Sequence, residues 1–251
     1  MDQKHAPDTG LAVIVPVLDE VGEVISWLRH TAGRLPGSLL CVVDGGSTDG
    51  TLEAVRELKE NPAKRKLDEA ISGVRLQLVQ SDPGRGTQLA EGARKALSEG
   101  ATHLLFLHVD TALSPEAAGA IGEACEDPGF EWGWFRTLLD GSCWQERLIE
   151  RGINLRARLL GRPTGDQGLL VRRWAYEESG GFAAIPLFED VELVSRLRRV
   201  ARGRLLRGEV ITSGRRYRRK GYLRTTLMRW GLRLRWWFGG SPESLVRRYE
   251  V

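Results

Sequence analysis

Cysteine is scarce in this chain: three residues, Cys41, Cys125 and Cys143, with no Cys-x-x-Cys pair. An odd count without close spacing argues against a disulfide framework and against a Cys-ligated zinc module. No apolar run approaches the roughly 18 residues that a helical membrane span needs. The opening "MDQKHAPDTG" lacks the basic-then-apolar profile of a secretory leader. Its 30 Gly follow no repeat period, and no Pro/Ser/Gly-rich stretch reads as a linker, so neither a fibrous repeat nor a string of tethered domains is expected. Together these absences point to a reducing, cytoplasmic setting.

What is present is the composition of a folded domain. Of 251 residues, 41% are hydrophobic and 28% charged, enough to bury a sizeable core. We read 1–251 as one domain. The net charge is only +4 but is unevenly placed: from Arg215 onward Arg and Lys interleave with Trp230, Trp236, Trp237 and Phe238. Such a segment suits anionic lipid, a polyphosphate or nucleic acid, and composition does not choose among them.

Hydrophobic patterning predicts an alternation of strands and helices. "LAVIVPV" (11–17) is a β-branched apolar run that reads as a strand buried on both faces. A helical pattern follows from Asp19 and Glu20 to a stop at Gly33 and Pro36. "LLCVVD" leads to a Gly-Gly-Ser turn and a helix through about Lys59, "VRLQLVQ" to the Gly84-Arg85-Gly86 loop and another helix, and "HLLFLHVD" to a Ser-Pro helix start. Four such units predict an α/β fold with a mostly parallel, Rossmann-like sheet flanked by helices. Later stretches read as a strand ("FEWGWFRTLLD"), a helix (from Trp144), a turn and short strand ("TGDQGLLVRR"), and a helix opened by "FEDVEL". "GYLRTTLMRWGLRLRWWFGG" reads as an amphipathic C-terminal helix. In parallel sheets ligands bind at the carboxyl ends of the strands, so Asp19, Glu20, Asp44, the 84–86 loop, His108 and Asp110 are expected on one rim.

The stretches "IVPVLDE" (14–20), "VVDGGSTDGT" (42–51), "GRGTQLAEGA" (84–93), "LFLHVD" (105–110) and "FEDVEL" (188–193) resemble, in order and spacing, family 2 glycosyltransferases of the A-type nucleotide-sugar transferase fold. "TGDQG" and "TSGRRY" further resemble a bacterial subgroup of undefined acceptor. Two motifs depart from the family pattern. Asp-Asp-Gly-Ser is here Asp44-Gly45-Gly46-Ser47, and the Asp-x-Asp metal motif is His108-Val109-Asp110, each with one carboxylate lost.

The resemblance implies a metal-dependent, inverting transfer of sugar from a nucleotide diphosphate, uridine-linked because Asp44 matches a carboxylate that accepts from the uracil edge. Residues 11–110 would hold the nucleotide, 111–214 the acceptor and catalytic groups, and 215–251 would form the basic amphipathic segment. Donor contacts would come from Pro16, Asp19, Glu20, Asp44, Gly46, Ser47, Gly84, Arg85, Gly86 and Val109. Asp110, with His108, would hold Mn2+ or Mg2+, both oxygen-seeking ions of which manganese also accepts imidazole. Asp190 would be the general base beside Glu189, and Asp166 and Gln167 would line the sugar or acceptor pocket. Arg215, Arg216 or Arg229 would meet the diphosphate; "TLMRW" (226–230) resembles a Gln-x-x-Arg-Trp element with Thr226 in place of Gln.

Each assignment has a plainer counterpart. Acids at helix starts offset the helix dipole, Asp110 can cap a turn, and Gly-rich loops are often only turns. Two rival functions follow. One is a sugar nucleotidyltransferase, whose Gly-rich loop "GRGTQL" resembles, although that loop belongs after the first strand. The other is a catalytically silent nucleotide-binding scaffold, given the two reduced motifs. The C-terminal helix is expected to lie on an anionic membrane surface without crossing it, since Arg interrupts it every few positions. That setting would suit a lipid-linked acceptor at the inner face of the cell membrane. Nucleic acid is not among the expected partners.

Overall fold

The computed structural model describes residues 10–61, 69–237, 240 and 245. The first nine residues, and most of the chain after Trp237, including Phe238 and Arg248, lie outside the described residues. The elements run β1 (Leu11–Val17), α1 (Val21–Arg34), β2 (Leu39–Asp44), α2 (Thr51–Glu60), α3 (Glu69–Ser72), β3 (Arg75–Gln80), α4 (Arg85–Ser98), β4 (His103–Phe106), β5 (Thr111–Leu113) and α5 (Pro115–Glu126). They continue β6 (Trp132–Leu139), α6 (Trp144–Leu160), a 3-10 turn (Gly165–Gln167), β7 (Leu169–Arg172), α7 (Arg173–Glu178), α8 (Glu189–Val200), β8 (Gly203–Thr212), α9 (Arg215–Lys220) and α10 (Tyr222–Trp237).

β1 is apolar along its length because it is covered on both sides. Val13, Val15 and Val17 pack with Val24 and Leu28 of α1, Val55 of α2 and Ile121 of α5. The alternate residues Ala12 and Ile14 join Leu89 and Ala93 of α4, Ala157 of α6, and Leu193 and Leu197 of α8. The period-2 alternation of a strand thus divides one apolar run between two cores. α4 lies close to the sheet because Gly92 faces it: a Cβ there would stand 2.5 Å from Ile14 Cγ2 and 2.7 Å from Val43 Cγ2.

The sheet has eight strands in the order β3-β2-β1-β4-β7-β6-β8-β5. The expectation of a mostly parallel sheet needs correction. β3-β2-β1-β4 are parallel, as are β6 and β8, but β7 is antiparallel to both β4 and β6, and β5 is antiparallel to β8. The physical reason lies at β7, which starts where β4 ends, with Leu169 paired to Phe106. Running backwards, it delivers the turn before it to the rim formed by the carboxyl ends of β1, β2 and β4. The fourth strand is also shorter than expected. It stops at Phe106, and His108–Asp110 form a turn closed by Thr111 N–H donating to the His108 carbonyl at 3.0 Å.

β8, β5, α7 and α9 were not expected. The stretch "GRLLRGEVIT" carries β8, with Arg204, Arg207 and Gly208 breaking its apolar signal. Gly208, at φ +83°, is required where the strand crosses α5: a Cβ would lie 2.3 Å from Ala117 N.

One buried side chain ties the rim together. Gln88 of α4 donates through Nε2 to the carbonyls of Val17 (2.8 Å) and Val43 (2.9 Å), the last turns of β1 and β2. Replacing Gln88 with Leu leaves both carbonyls without this donor. The expected cost is about 1–3 kcal/mol, read as a lower urea midpoint at unchanged m-value; an unchanged midpoint would show that the tie is not stabilising.

Candidate active site

The rim collects most of the expected site residues but divides them into two groups. The first surrounds Asp44 at the end of β2. Asp44 is buried, and its Oδ2 accepts from Gly46 N–H (3.0 Å) and Ser47 N–H (3.1 Å). Its Oδ1 is also buried and finds no hydrogen-bond partner. A covered carboxylate oxygen without a donor is costly, which makes it a place where a ligand N–H would be welcome.

Around Asp44 several expected donor contacts are occupied by the fold itself. Asp19, at φ +54°, accepts Thr48 N–H at 2.8 Å and donates its own N–H to Ser47 Oγ at 3.0 Å. Asp19 and Ser47 therefore tie the two rim loops to each other. Glu20 N–H donates to Thr51 Oγ1, and Asp49 holds Val21 N–H. Pro16 is half-buried within β1, opposite Val43. Val109 is in the core with Val13 and Val15, so its side chain offers nothing to a ligand.

Gly84 and Gly86 flank the first residue of α4. Gly84 takes φ +136°, a turn only glycine makes easily. Gly86 is pressed against the loop before α8: a Cβ would lie 2.3 Å from the Ala183 carbonyl oxygen and 3.0 Å from that of Ile185. Gly84 serves the turn and Gly86 the packing, and Arg85 between them turns outward to the second group.

That second group is built from the 3-10 turn, the start of α8, and α9 and α10. Asp190 Oδ2 accepts Gly165 N–H at 2.5 Å and its Oδ1 accepts Val191 N–H at 2.7 Å. Only glycine fits at 165, since a Cβ would lie 2.8 Å from His108 Nε2 and 3.4 Å from Asp190 Oδ2. Arg85 Nε stands 3.9 Å from Glu189 Oε1. Arg229 donates to Asp166 Oδ2 (3.3 Å) and to Tyr217 Oη (3.1 Å), with its guanidinium carbon 5.2 Å from the Tyr217 ring centre. A small cavity of about 80 Å³ is lined by Arg85, Asp166, Glu189, Asp190 and Arg229.

Charge and burial set the protonation pattern of this group. Burial, then the neighbouring Asp190, pushes Glu189 up to about 7. Asp190 is raised mainly by burial, with the Gly165 N–H pulling the other way. Burial and the adjacent Arg85 push His108 down to about 3, leaving a neutral imidazole. Asp166 runs opposite. Burial would raise it, but Arg229 leads His108, Arg85 and Arg156 in holding it at about 2. Asp110 is raised by burial and by Asp166, and takes only long contacts, such as Thr212 Oγ1 at 3.4 Å. Glu20 is raised chiefly by burial, with Arg215 lowering and Asp110 raising it.

One further placement differs from expectation. Gln167 is fully buried, accepting Thr164 N–H (3.3 Å) and donating to the Phe135 carbonyl (3.2 Å), so it shapes the turn and lines no pocket. The three arginines do not form one clamp. Arg215 acts on Glu20, whereas Arg216, its charge disfavoured by burial, faces Arg229 and Arg85. Among the described residues no three His, Cys, Asp or Glu side chains converge to hold a metal ion. Sequence reasoning missed Gln88, Tyr217 and Arg156. Tyr217 lies inside "TSGRRY" and carried a signal, but nothing in the pattern around Arg156 marks it.

No family model and no curated protein matches the sequence. Among solved structures, a mannosyltransferase, PcManGT from Pyrobaculum calidifontis in complex with GDP-Man and Mn2+, is similar with a TM-score of 0.57 at 18% identity, over 93% of this chain and 64% of that one. TarS 1-349 from S. aureus is similar with a TM-score of 0.55 at 15% identity, over 81% of this chain and 58% of that one. Its complex with UDP-GlcNAc gives a TM-score of 0.53 at 14% identity, over 81% and 56%. The chain thus spans less than two thirds of the length of each, and it shares the fold of these glycosyltransferases.

Proposed function

We propose that this chain is an inverting glycosyltransferase that moves a sugar from a nucleotide diphosphate, uridine-linked, to an acceptor hydroxyl. The observation that carries the reading is the desolvated Glu189–Asp190 pair, fixed by the Gly165 N–H and faced by Arg85 and Arg229. The fold shared with structures that hold GDP-Man and UDP-GlcNAc supports it. The chain acts as one unit, its nucleotide half and its catalytic half meeting on a single sheet.

Asp190 takes the acceptor proton. Burial makes it a stronger base than an exposed carboxylate, and its two backbone hydrogen bonds hold it in one orientation. Glu189, titrating near 7, stays partly protonated and limits like-charge repulsion beside it. Arg85, Arg216 and Arg229 supply positive charge to the leaving diphosphate, and Arg215 stands by Glu20. Asp44 Oδ1 accepts the ring N–H of the base; it is covered in this conformation, so the base reaches it with a local opening.

The donor set suits a divalent ion that arrives with the nucleotide and does not suit a resident one. Asp110 and the neutral imidazole of His108 are two ligands, and diphosphate and water would complete the rest. When bound, Mn2+ or Mg2+ would neutralise charge on the leaving group.

α10 presents Leu223, Leu227, Trp230 and Leu234 to solvent in one stripe, with Arg224 and Arg235 exposed beside it. Among the described residues no helix is long and apolar enough to cross a membrane. This stripe would rest on an anionic membrane surface. Trp236 packs against Phe188, with ring centres 5.6 Å apart, while the side chain of Trp237 lies outside the described residues.

Three measurements test this reading. Asp190→Asn is expected to keep donor affinity while slowing transfer by about 10²–10⁴, with Glu189→Gln milder; normal turnover in Asp190→Asn would remove it as the base. In calorimetry of uridine, guanosine and cytidine diphosphates with and without Mn2+, Asp110→Ala should lose the metal enhancement and His108→Ala retain part of it, while Asp44→Asn should lose base preference. Equal affinity of the wild type for all three nucleotides defeats the role of Asp44, and metal enhancement that survives in Asp110→Ala defeats that of Asp110. Finally, the chain should co-sediment with phosphatidylglycerol vesicles at low salt and less so with Arg224 and Arg235 changed to Gln; no binding at low salt rejects the membrane face.

A further inference from the structure

Between α6 and α10 lies a groove of about 290 Å³ that the transfer chemistry above does not use. Leu148, Ile149 and Ile153 line it from α6, and Leu223 and Trp230 from α10. Leu148, Leu223 and Trp230 are 60%, 73% and 53% exposed, so these apolar groups face open space at the groove instead of packing on the core. A concave apolar surface of this size, near the lower bound of about 300 Å³ for small-molecule pockets, is a binding feature more than a folding one.

The inner end of the groove is continuous with the catalytic cavity. Thr164, Asp166, Arg229 and Arg233 line both. There the lining changes character, with guanidinium groups from Arg156, Arg229 and Arg233 against the single carboxylate of Asp166. Arg229 is engaged by Asp166 and Tyr217. Arg156 donates through Nη2 to Thr164 Oγ1 at 3.2 Å, but its Nε is buried and has no hydrogen-bond partner. A buried cationic donor without an acceptor is expensive to keep, and an anionic oxygen at the inner end would satisfy it.

We propose that this groove is the acceptor site and that the acceptor is an anionic lipid with three parts in order: a head-group hydroxyl, a phosphate and an apolar chain. The inference rests on the glycosyltransferase reading. The hydroxyl meets Asp190, the phosphate meets Arg156 and Arg233, and the chain lies between α6 and α10. In the transfer the hydroxyl oxygen forms the new bond to the anomeric carbon. The bond from that carbon to the diphosphate breaks with its electron pair leaving on the diphosphate, and the hydroxyl proton goes to Asp190. The apolar stripes flanking the groove, Leu155 and Leu159 on α6 and Leu227 and Leu234 on α10, are all exposed, as an entry from a bilayer requires.

The test titrates n-alkyl phosphates of four, six and eight carbons, below micelle formation, against the full chain, with tryptophan fluorescence as the readout because Trp144 and Trp230 line the groove. Affinity should rise by up to about fourfold per methylene, with inorganic phosphate and octanol each binding at least tenfold more weakly than octyl phosphate. Leu148→Glu with Leu223→Glu, both at exposed positions, should lower octyl phosphate affinity tenfold or more while uridine diphosphate binding is unchanged. Arg156→Met should erase the preference for octyl phosphate over octanol, and Arg233→Met should weaken it if the first variant does not fold. Phosphatidylglycerol vesicles should compete with octyl phosphate, and phosphatidylcholine vesicles should not. Affinity independent of chain length, equal binding of octanol and octyl phosphate, or a dimer that the double Glu variant dissolves would overturn the proposal. Should the wild type bind no nucleotide, the transferase reading fails while these titrations still report on the groove; nucleotide binding without alkyl phosphate binding rejects the groove alone.

Discussion

The hydrogen bond from Gly165 N–H to Asp190 Oδ2 is the constraint on which the acid-rich end of the rim depends. It joins a turn fixed by the sheet to the first turn of a helix on the sheet's flank, and it settles the direction of a carboxylate that burial would otherwise drive toward the neutral form. The bond exists because β7 runs against β4 and so places residues 164–168 at the rim. Position 165 comes this close to His108 because it has no Cβ. Topology, a glycine and an N–H together orient one side chain.

Around that bond the electrostatics are deliberately uneven. Acids and arginines alternate through a small volume, and their balance separates groups of the same type. Asp166, surrounded by guanidinium groups, is held ionised at about 2, whereas Glu189, lining the same cavity but with Asp190 beside it, is pushed up by burial to about 7. The same burial keeps His108 neutral. Carboxyls that titrate so far apart at one site are a mark of acid–base chemistry, although ion-pair networks also produce them.

Much of this was readable in the residues before the fold was seen. The run at 11–17 and the helix starts placed most strands and helices of residues 11–110, because there local hydrophobic period and tertiary role agree. The second half was harder for identifiable reasons. β8 hides its pattern behind Arg204, Arg207 and Gly208, and the reversal at β7 is a matter of pairing partners, which periodicity does not encode. Among candidate site residues, Asp110 stood out as an acid closing an apolar run, and Asp190 through the resemblance of "FEDVEL". Gln88 and Arg156 did not, since their importance comes from which carbonyls and cavities they meet in space. Gln167 looked like a ligand contact and is a packing element, a reminder that polar turns serve both ends.

The close approach at Gly86 has a mechanical side. The first turn of α4 bears directly on the backbone carbonyls of Ala183 and Ile185, and the same glycine's Cβ direction points to Glu189 at 3.3 Å. No flexible side chain lies between them to absorb a shift. A nucleotide that drew Arg85 and its helix start toward the rim would therefore displace the strand of backbone that carries the acid pair, as one gear turns its neighbour. Under the proposed reading, occupancy of the donor side would be geared to the position of the acid pair through the packing of a single hydrogen-sized side chain.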